Sequence, residues 1–269
     1  MTLRTFRSSL LLPAGLILMA ALAWAQDQGR EFHWSGKLSA GQVVEIKNVN
    51  GSIDAEAASV DEVTVTAEKT GPKAGQVKIE VVPSSEGVTI CAIYPSGFFG
   101  GSSGPCEPGS SWHNSNIHGD NTQVRFTVRM PKNLRFSANT VNGSVTAEDI
   151  GRFVRANSVN GSLRISTAEW AQAETVNGSI KVSMGNAAWT GTLKIASVNG
   201  SVELHMPDDL NAEVKFSSVN GRMDSDFPIT ISNGFPVGHS AHGTVGKGGR
   251  TLVVDTVNGS VHLKKSGGI

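Results

Sequence analysis

Residues 140–145 read Thr-Val-Asn-Gly-Ser-Val. The phrase returns as Ser-Val-Asn-Gly-Ser-Leu at 158–163, Thr-Val-Asn-Gly-Ser-Ile at 175–180, Ser-Val-Asn-Gly-Ser-Val at 197–202, Ser-Val-Asn-Gly-Arg-Met at 218–223 and Thr-Val-Asn-Gly-Ser-Val at 256–261. A seventh copy stands apart at Asn48-Val49-Asn50-Gly51-Ser52-Ile53. The valines of the last six copies are 18, 17, 22, 21 and 38 residues apart. A period near 20 residues marks a repeat architecture and outranks local propensity. The interval of 38 is about two periods, which implies a unit without its signature or an insertion.

Working outward from each copy, an apolar residue follows Ser (Ile53, Val145, Leu163, Ile180, Val202, Val261) or, in the fifth copy, Arg222 (Met223). A polar residue comes next: Asp54, Thr146, Arg164, Lys181, Glu203, Asp224 or His262. Upstream, the third residue before Val is apolar too: Ile46, Ala138, Ala156, Ala173, Ile195, Phe216 or Val254. Each unit is therefore a short alternating strand, an Asn-Gly corner and a second alternating strand. The corners are Asn50-Gly51, Asn142-Gly143, Asn160-Gly161, Asn177-Gly178, Asn199-Gly200, Asn220-Gly221 and Asn258-Gly259. Both residue types tolerate positive φ, which a tight bend favours.

Two architectures use such corners. A string of hairpins would place the seven valines on the same face as the charged positions. A β-solenoid, parallel β-helix-like and all-β, would stack the valines inward and the asparagines into an amide ladder. The solenoid is the expectation, with the Asn column a structural corner rather than a ligand stripe. In that arrangement the outward Arg164, Lys181 and Glu203 should be replaceable at little cost. Residues 60–131 break the repeat. Their alternating runs (Val63 to Ala67, Val77 to Val81, Val88 to Ala92, Val124 to Met130) suggest an N-terminal antiparallel β cap on the open end. The expected organisation is 1–25 leader, 26–131 strand and cap with a cysteine loop, and 132–269 solenoid. A second excursion runs from Pro228 to Gly249.

The 269 residues are 39% hydrophobic and 17% charged, too apolar for disorder and too lightly charged for a coiled coil. Lys+Arg and Asp+Glu are 23 each, and loss of Arg4 and Arg7 with the leader leaves a net charge of −2. That balance excludes an electrostatic footprint for nucleic acid or anionic membrane. Arg4 and Arg7, the apolar stretch Leu10 to Leu22 and Ala23-Trp24-Ala25 read as a secretory leader cleaved before Gln26. The alternative is an uncleaved anchor, for which the stretch is short. The expected location is outside the cytoplasm, periplasmic or at the cell surface, with no membrane span after cleavage. In an oxidising compartment Cys91 and Cys106 most simply form a disulfide closing a Gly/Ser/Pro-rich loop. The alternative, a metal site adding His113 and His118, matches no zinc spacing.

The layout resembles the bacterial putative-adhesin domain family of unknown function. The resemblance rests on the repeats from Thr140 to Val261 and on the separate Asn48 to Ile53 unit. It also rests on Val124 to Pro131 and on Asp224-Ser225-Asp226-Phe227-Pro228. It implies an exported β-solenoid with no catalytic residues to carry over. It also implies a place at the surface or beside an envelope-stress regulator.

Candidate chemistry is sparse. The acid pairs Glu148/Asp149 and Asp208/Asp209 sit at bends, and Asp224/Asp226 share a strand face with Arg222. A β-helix enzyme on cell-wall or extracellular polysaccharide would depend on Asp224 and Asp226. His239-Ser240-Ala241-His242 has no helix to orient it as a metal motif. The reading is a non-enzymatic exported protein that binds or scaffolds, with no cofactor and an envelope protein or glycan as partner. Phe98, Phe99 and Trp112 in and beyond the cysteine loop, and Phe235 in the second excursion, are the candidate contacts.

Overall fold

The computed structural model describes residues 24–95, 106–110, 121–233 and 239–266. They form strands and turns, with no α-helix and one three-residue 3-10 turn at Ala74–Gln76. In chain order, β1 (Trp24–Gln28) and β2 (Glu31–Gly36) make a hairpin, and β3 (Val43–Lys47) and β4 (Ile53–Ala58) flank the first corner. β5 (Val63–Thr70), β6 (Lys78–Ser84), β7 (Gly87–Ile93) and β8 (Gln123–Pro131) follow. Five more corners join β9 (Arg135–Asn139) to β10 (Val145–Ile150), β11 (Val154–Asn160) to β12 (Leu163–Thr167), and β13 (Ala171–Asn177) to β14 (Ile180–Met184). The same holds for β15 (Thr192–Asn199) with β16 (Val202–Met206), and β17 (Ala212–Asn220) with β18 (Met223–Ser225). β19 (Thr230–Asn233) and β20 (His239–Val245) form the second excursion, and β21 (Thr251–Asn258) and β22 (Val261–Lys265) flank the last corner.

Each coil gives one strand to each of two eleven-stranded sheets. Sheet one runs β1-β2-β5-β8-β4-β10-β12-β14-β16-β22-β18, and sheet two runs β19-β20-β17-β21-β15-β13-β11-β9-β3-β7-β6. Within the stack the strands are parallel, and equivalent residues pair: Val145 with Leu163, Leu163 with Ile180, Ile180 with Val202 and Val202 with Val261. These residues fill the interior with Ala138, Ala156, Ala173, Ile195 and Val254, all fully buried. Alternation is the cause, since every second residue of each strand meets the opposite sheet. Each buried Ile, Leu or Val contributes about 1.5–3 kcal/mol.

Stacking order departs from chain order at both ends. β3/β4, first in sequence, lies between β7/β8 and β9/β10. β21/β22, last in sequence, lies between β15/β16 and β17/β18. Residues 60–131 therefore divide. β5 pairs antiparallel with β8 and β6 antiparallel with β7, as a cap would, but β7 and β8 themselves run parallel to β3 and β4 and make a coil of the stack. The connection between β7 and β8, residues 94–122, carries no Asn-Gly signature. The long interval likewise holds the β19/β20 hairpin, which pairs antiparallel along β17 and covers that edge of sheet two.

The valines do not stack inward. Val49 is buried and Val141 partly so, but Val159, Val176, Val198, Val219 and Val257 are 39–43% exposed. In the last six copies the inward position is the Ser or Thr before Val. Its hydroxyl donates to a glycine carbonyl of the neighbouring coil, as from Ser158 to Gly143 (2.9 Å), Thr175 to Gly161 (2.9 Å) and Ser197 to Gly178 (2.8 Å). A buried hydroxyl needs such a partner, and the stack supplies one per coil.

Candidate functional site

At the corner edge the asparagines form a continuous side-chain ladder. Asn142 Nδ2 donates to Asn50 Oδ1 (2.7 Å), Asn160 to Asn142 (2.7 Å), Asn177 to Asn160 (2.8 Å) and Asn199 to Asn177 (2.8 Å). Asn258 donates to Asn199 (2.7 Å) and Asn220 to Asn258 (2.8 Å). The amides satisfy one another, so the column is internal scaffolding. The corner glycines also differ from expectation in their reason. Among these seven only Gly51 has positive φ. At the other six an added Cβ would stand 1.9–2.2 Å from the carbonyl oxygen of the neighbouring corner glycine. Close approach of coils, rather than the bend itself, demands glycine.

The outer face of sheet one carries Asp54, Thr146, Arg164, Lys181, Glu203, His262 and Asp224 as one row across adjacent strands. Glu203 is its hub. Its carboxylate meets Lys181 Nζ at 3.0 Å, His205 Nε2 at 2.6 Å and Lys264 Nζ at 3.8 Å. The hydrogen bonds from His205 and then Lys181 hold the Glu203 pKa down at about 2. A depressed carboxylate adds stability that is complete above its ordinary pKa near 4.5 and is lost as pH falls toward 2. Glu203→Gln should therefore cost about 1 kcal/mol at pH 7, after solvent screening of this surface group, and almost nothing at pH 2. Urea unfolding at the two pH values measures the difference. Glu203 should thus tolerate replacement less well than its outward direction alone suggests.

The candidate acids are dispersed. Asp224 contacts His262 Nδ1, while Asp226 lies past the end of β18 and accepts the Lys265 backbone N–H at 3.0 Å. Each is occupied by its own partner. Asp149, Asp208 and Asp209 line an open groove of about 900 Å3 at the turns opposite the Asn-Gly edge, with Ser166, Ser183 and His205. His239 and His242 sit on β20. Among the described residues no three of His, Cys, Asp and Glu are placed to hold a metal. Phe98, Phe99, Trp112 and Phe235 lie outside the described residues, as do His113 and His118.

Sheet two presents a more constructed surface. Cys91 on β7 is bridged to Cys106, and the segment after Cys106 lies against the outer faces of β3 and β7. Beneath it Lys47 is wholly buried. Lys47 Nζ donates to Glu107 O (2.5 Å), Ser110 O (3.0 Å) and Ser110 Oγ (2.9 Å), and stands 3.7 Å from Glu45 Oε1. Glu45 Oε2 accepts from Thr89 Oγ1 (2.9 Å) and from the Gly109 N–H (3.0 Å). Burial pushes the Lys47 pKa below the ordinary lysine value, against the pull of Glu45. A buried ion pair is costly unless its remaining valences are filled, and here the loop backbone fills them.

The anchored segment makes a step on the sheet. Beside it runs a groove of about 580 Å3, walled by Pro108, Gly109 and Ser110 and floored by outward residues of β3, β9 and β11. The register arranges that floor in rows: Arg135 beside Phe153, then Glu45, Ser137 and Arg155, then Asn139 and Asn157. Trp170 leans on Phe153 at 4.2 Å between ring centres. Sequence reading missed this site because its residues are far apart in the chain. The one available signal was the aromatic at the same place in two successive units, Phe153 and Trp170.

The profile of the family described as Toastrack DUF4097 matches residues 35–264. Among solved structures, the chain is similar to a "putative cell adhesion protein" from Clostridium sporogenes ATCC 15579. The identity is 9%, the match covers 87% of this chain and 98% of that one, and the TM-score is 0.45. It is also similar to a "putative adhesin" from Bacteroides fragilis NCTC 9343, at 8% identity, 87% and 96% coverage and TM-score 0.31. A "putative adhesin" from Parabacteroides merdae ATCC 43184 matches at 8% identity, 88% and 98% coverage and TM-score 0.25. No curated protein matches.

Proposed function

From the premise that the chain belongs to the Toastrack DUF4097 family, we propose a non-enzymatic, exported protein of the bacterial envelope or cell surface that binds or scaffolds a partner there. The observation that carries this reading is the fixed loop on sheet two. A disulfide and a wholly buried Lys47 are both committed to holding one short surface segment in place. Ordering a surface loop in advance lowers the entropy cost of binding, and this is the physical use of such an anchor. The disulfide also belongs to an oxidising compartment, in agreement with the leader-like residues 1–25. Asp224 and Asp226, the pair an enzyme reading would depend on, are each held by a separate neighbour, His262 and the Lys265 N–H, which supports a binder over a polysaccharide-cleaving enzyme.

Expression with its own N-terminal segment in a bacterial host tests the reading. The expected result is export with cleavage before Gln26, no alkylatable thiol without reduction, and co-sedimentation with the envelope fraction. Incubation with a polysaccharide panel should yield no new reducing ends or unsaturated products. Retention in the cytoplasm with two free thiols would contradict it, as would product formation that Asp224→Asn abolishes.

A further inference from the structure

The groove beside the disulfide-anchored segment has a chemistry that narrows its ligand. Phe153 and Trp170, both half-buried, leave an apolar edge on one side. The amides of Asn139 and Asn157 are joined by one bond, Asn157 Nδ2 to Asn139 Oδ1 at 2.9 Å. Among the described residues the Asn139 side-chain NH2 and the Ser137 hydroxyl have no protein partner, so donors face the opening. Between aromatic edge and amide row lies Arg155. Arg135, nearby, is already paired with Glu86 at 3.3 Å and with Gly41 O at 2.6 Å. Lys47 is buried with Glu45. Arg155, by contrast, is exposed and, among the described residues, donates through Nε (3.1 Å) and Nη2 (2.9 Å) only to the neutral Gln172 Oε1. It is the guanidinium of the groove that lacks a carboxylate.

An aromatic edge suits the C–H face of a sugar ring, amides and hydroxyls suit its hydroxyl groups, and an unpaired guanidinium suits an anionic substituent. We infer that this groove binds an acidic glycan chain, with a uronate carboxylate on Arg155, ring stacking at Phe153 and Trp170, and hydroxyls on Ser137, Asn139 and Asn157. The inference rests on the reading of the protein as a binder and names its site and ligand class. The floor runs from the row of Arg135 and Phe153 to the row of Asn139 and Asn157, about 13 Å along the strands at the usual rise per residue, which suits a chain rather than a single sugar. Its wall depends on the Cys91–Cys106 bridge, so reduction should weaken binding as well as loosen the segment.

The test titrates the purified protein by calorimetry with hexasaccharides of galacturonate, mannuronate and hyaluronate, and with maltohexaose as the neutral chain. At least one uronate should bind with Kd below about 1 mM, more weakly at high salt, and maltohexaose should not. Arg155→Gln and Asn157→Asp should each weaken that binding roughly tenfold or more with little change in Tm, since Arg155 is exposed and the half-buried Asn157 lies on the outer face beside an Asn139 amide that can turn its NH2 toward the new carboxylate. Trp170→Leu should weaken it several-fold. Absence of uronate binding, equal binding of maltohexaose, or full affinity in both the Arg155 and Asn157 variants would overturn the inference. Envelope co-sedimentation that persists without uronate binding would remove this site and leave the binder reading. A uronate that is bound and then cleaved would keep the site and remove the non-enzymatic reading.

Discussion

Gly178→Ala and Gly200→Ala should each destabilise the protein by about 3 kcal/mol or more, a fall in Tm on the order of 10 °C. The new Cβ would stand 2.2 Å from Gly161 O in the first variant and 2.1 Å from Gly178 O in the second. Those oxygens are backbone atoms held by the hydrogen bonds Ser197 Oγ to Gly178 O and Thr175 Oγ1 to Gly161 O, so they cannot swing aside. Relief requires prising two coils apart, which breaks the asparagine ladder and the parallel pairing on both sides. Asparagine should be no better than alanine, although it tolerates positive φ, because the obstacle is the neighbouring coil and not the dihedral angle. Gly191 supplies the contrast. It has φ of 70° and nothing within 4 Å of an added Cβ. Gly191→Ala should therefore cost only about 1 kcal/mol, and Gly191→Asn less. Thermal melts of the six variants, alanine and asparagine at each of the three glycines, check both halves of the argument.

Truncation after Arg250 should have the larger effect. In a solenoid stacked in chain order, losing the last coil frays one end and leaves the rest standing. Here the last coil is an inner layer. β21 pairs with β15 on one side and β17 on the other, and β22 with β16 and β18. Removing them strands β17, β18 and the β19/β20 hairpin with no parallel neighbour, and opens the interior at Ile195, Leu204 and Phe216. The truncated chain should show no cooperative melt and should be cut rapidly by protease after residue 206. A truncated protein melting within a few degrees of the full chain would contradict the stacking order.

Much of the fold was legible because the repeat is strict. The Asn-Gly corners, the alternating strands on either side and the Cys91–Cys106 pair are all local or near-local signals. The direction of the valines was legible too, but only through parity. Ala156 and Val159 are three apart, so on an alternating strand they face opposite ways, and the apolar column at Ala156 decides which is inside. The branched residue won attention that belonged to its neighbour Ser158. Stacking order was not legible. The units are so alike that by pattern β21 fits beyond β17 as well as between β15 and β17, where it lies, and periodicity carries no label for the neighbour. The groove was the least visible feature. Lys47, Gly109, Asn139 and Arg155 meet only because β3 pairs with β9 and β9 with β11, across separations that pattern reading does not bridge.

Hydrogen exchange followed by mass spectrometry tests the stacked architecture most directly, because it reads protection strand by strand in the intact protein. Amides of β21 and β22 should exchange as slowly as those of β11 to β14, and more slowly than those of β17 and β18, although they lie at the end of the chain. Fast exchange over residues 251–265, with slow exchange over 212–225, would mean that the coils stack in chain order and that the arrangement described here is wrong.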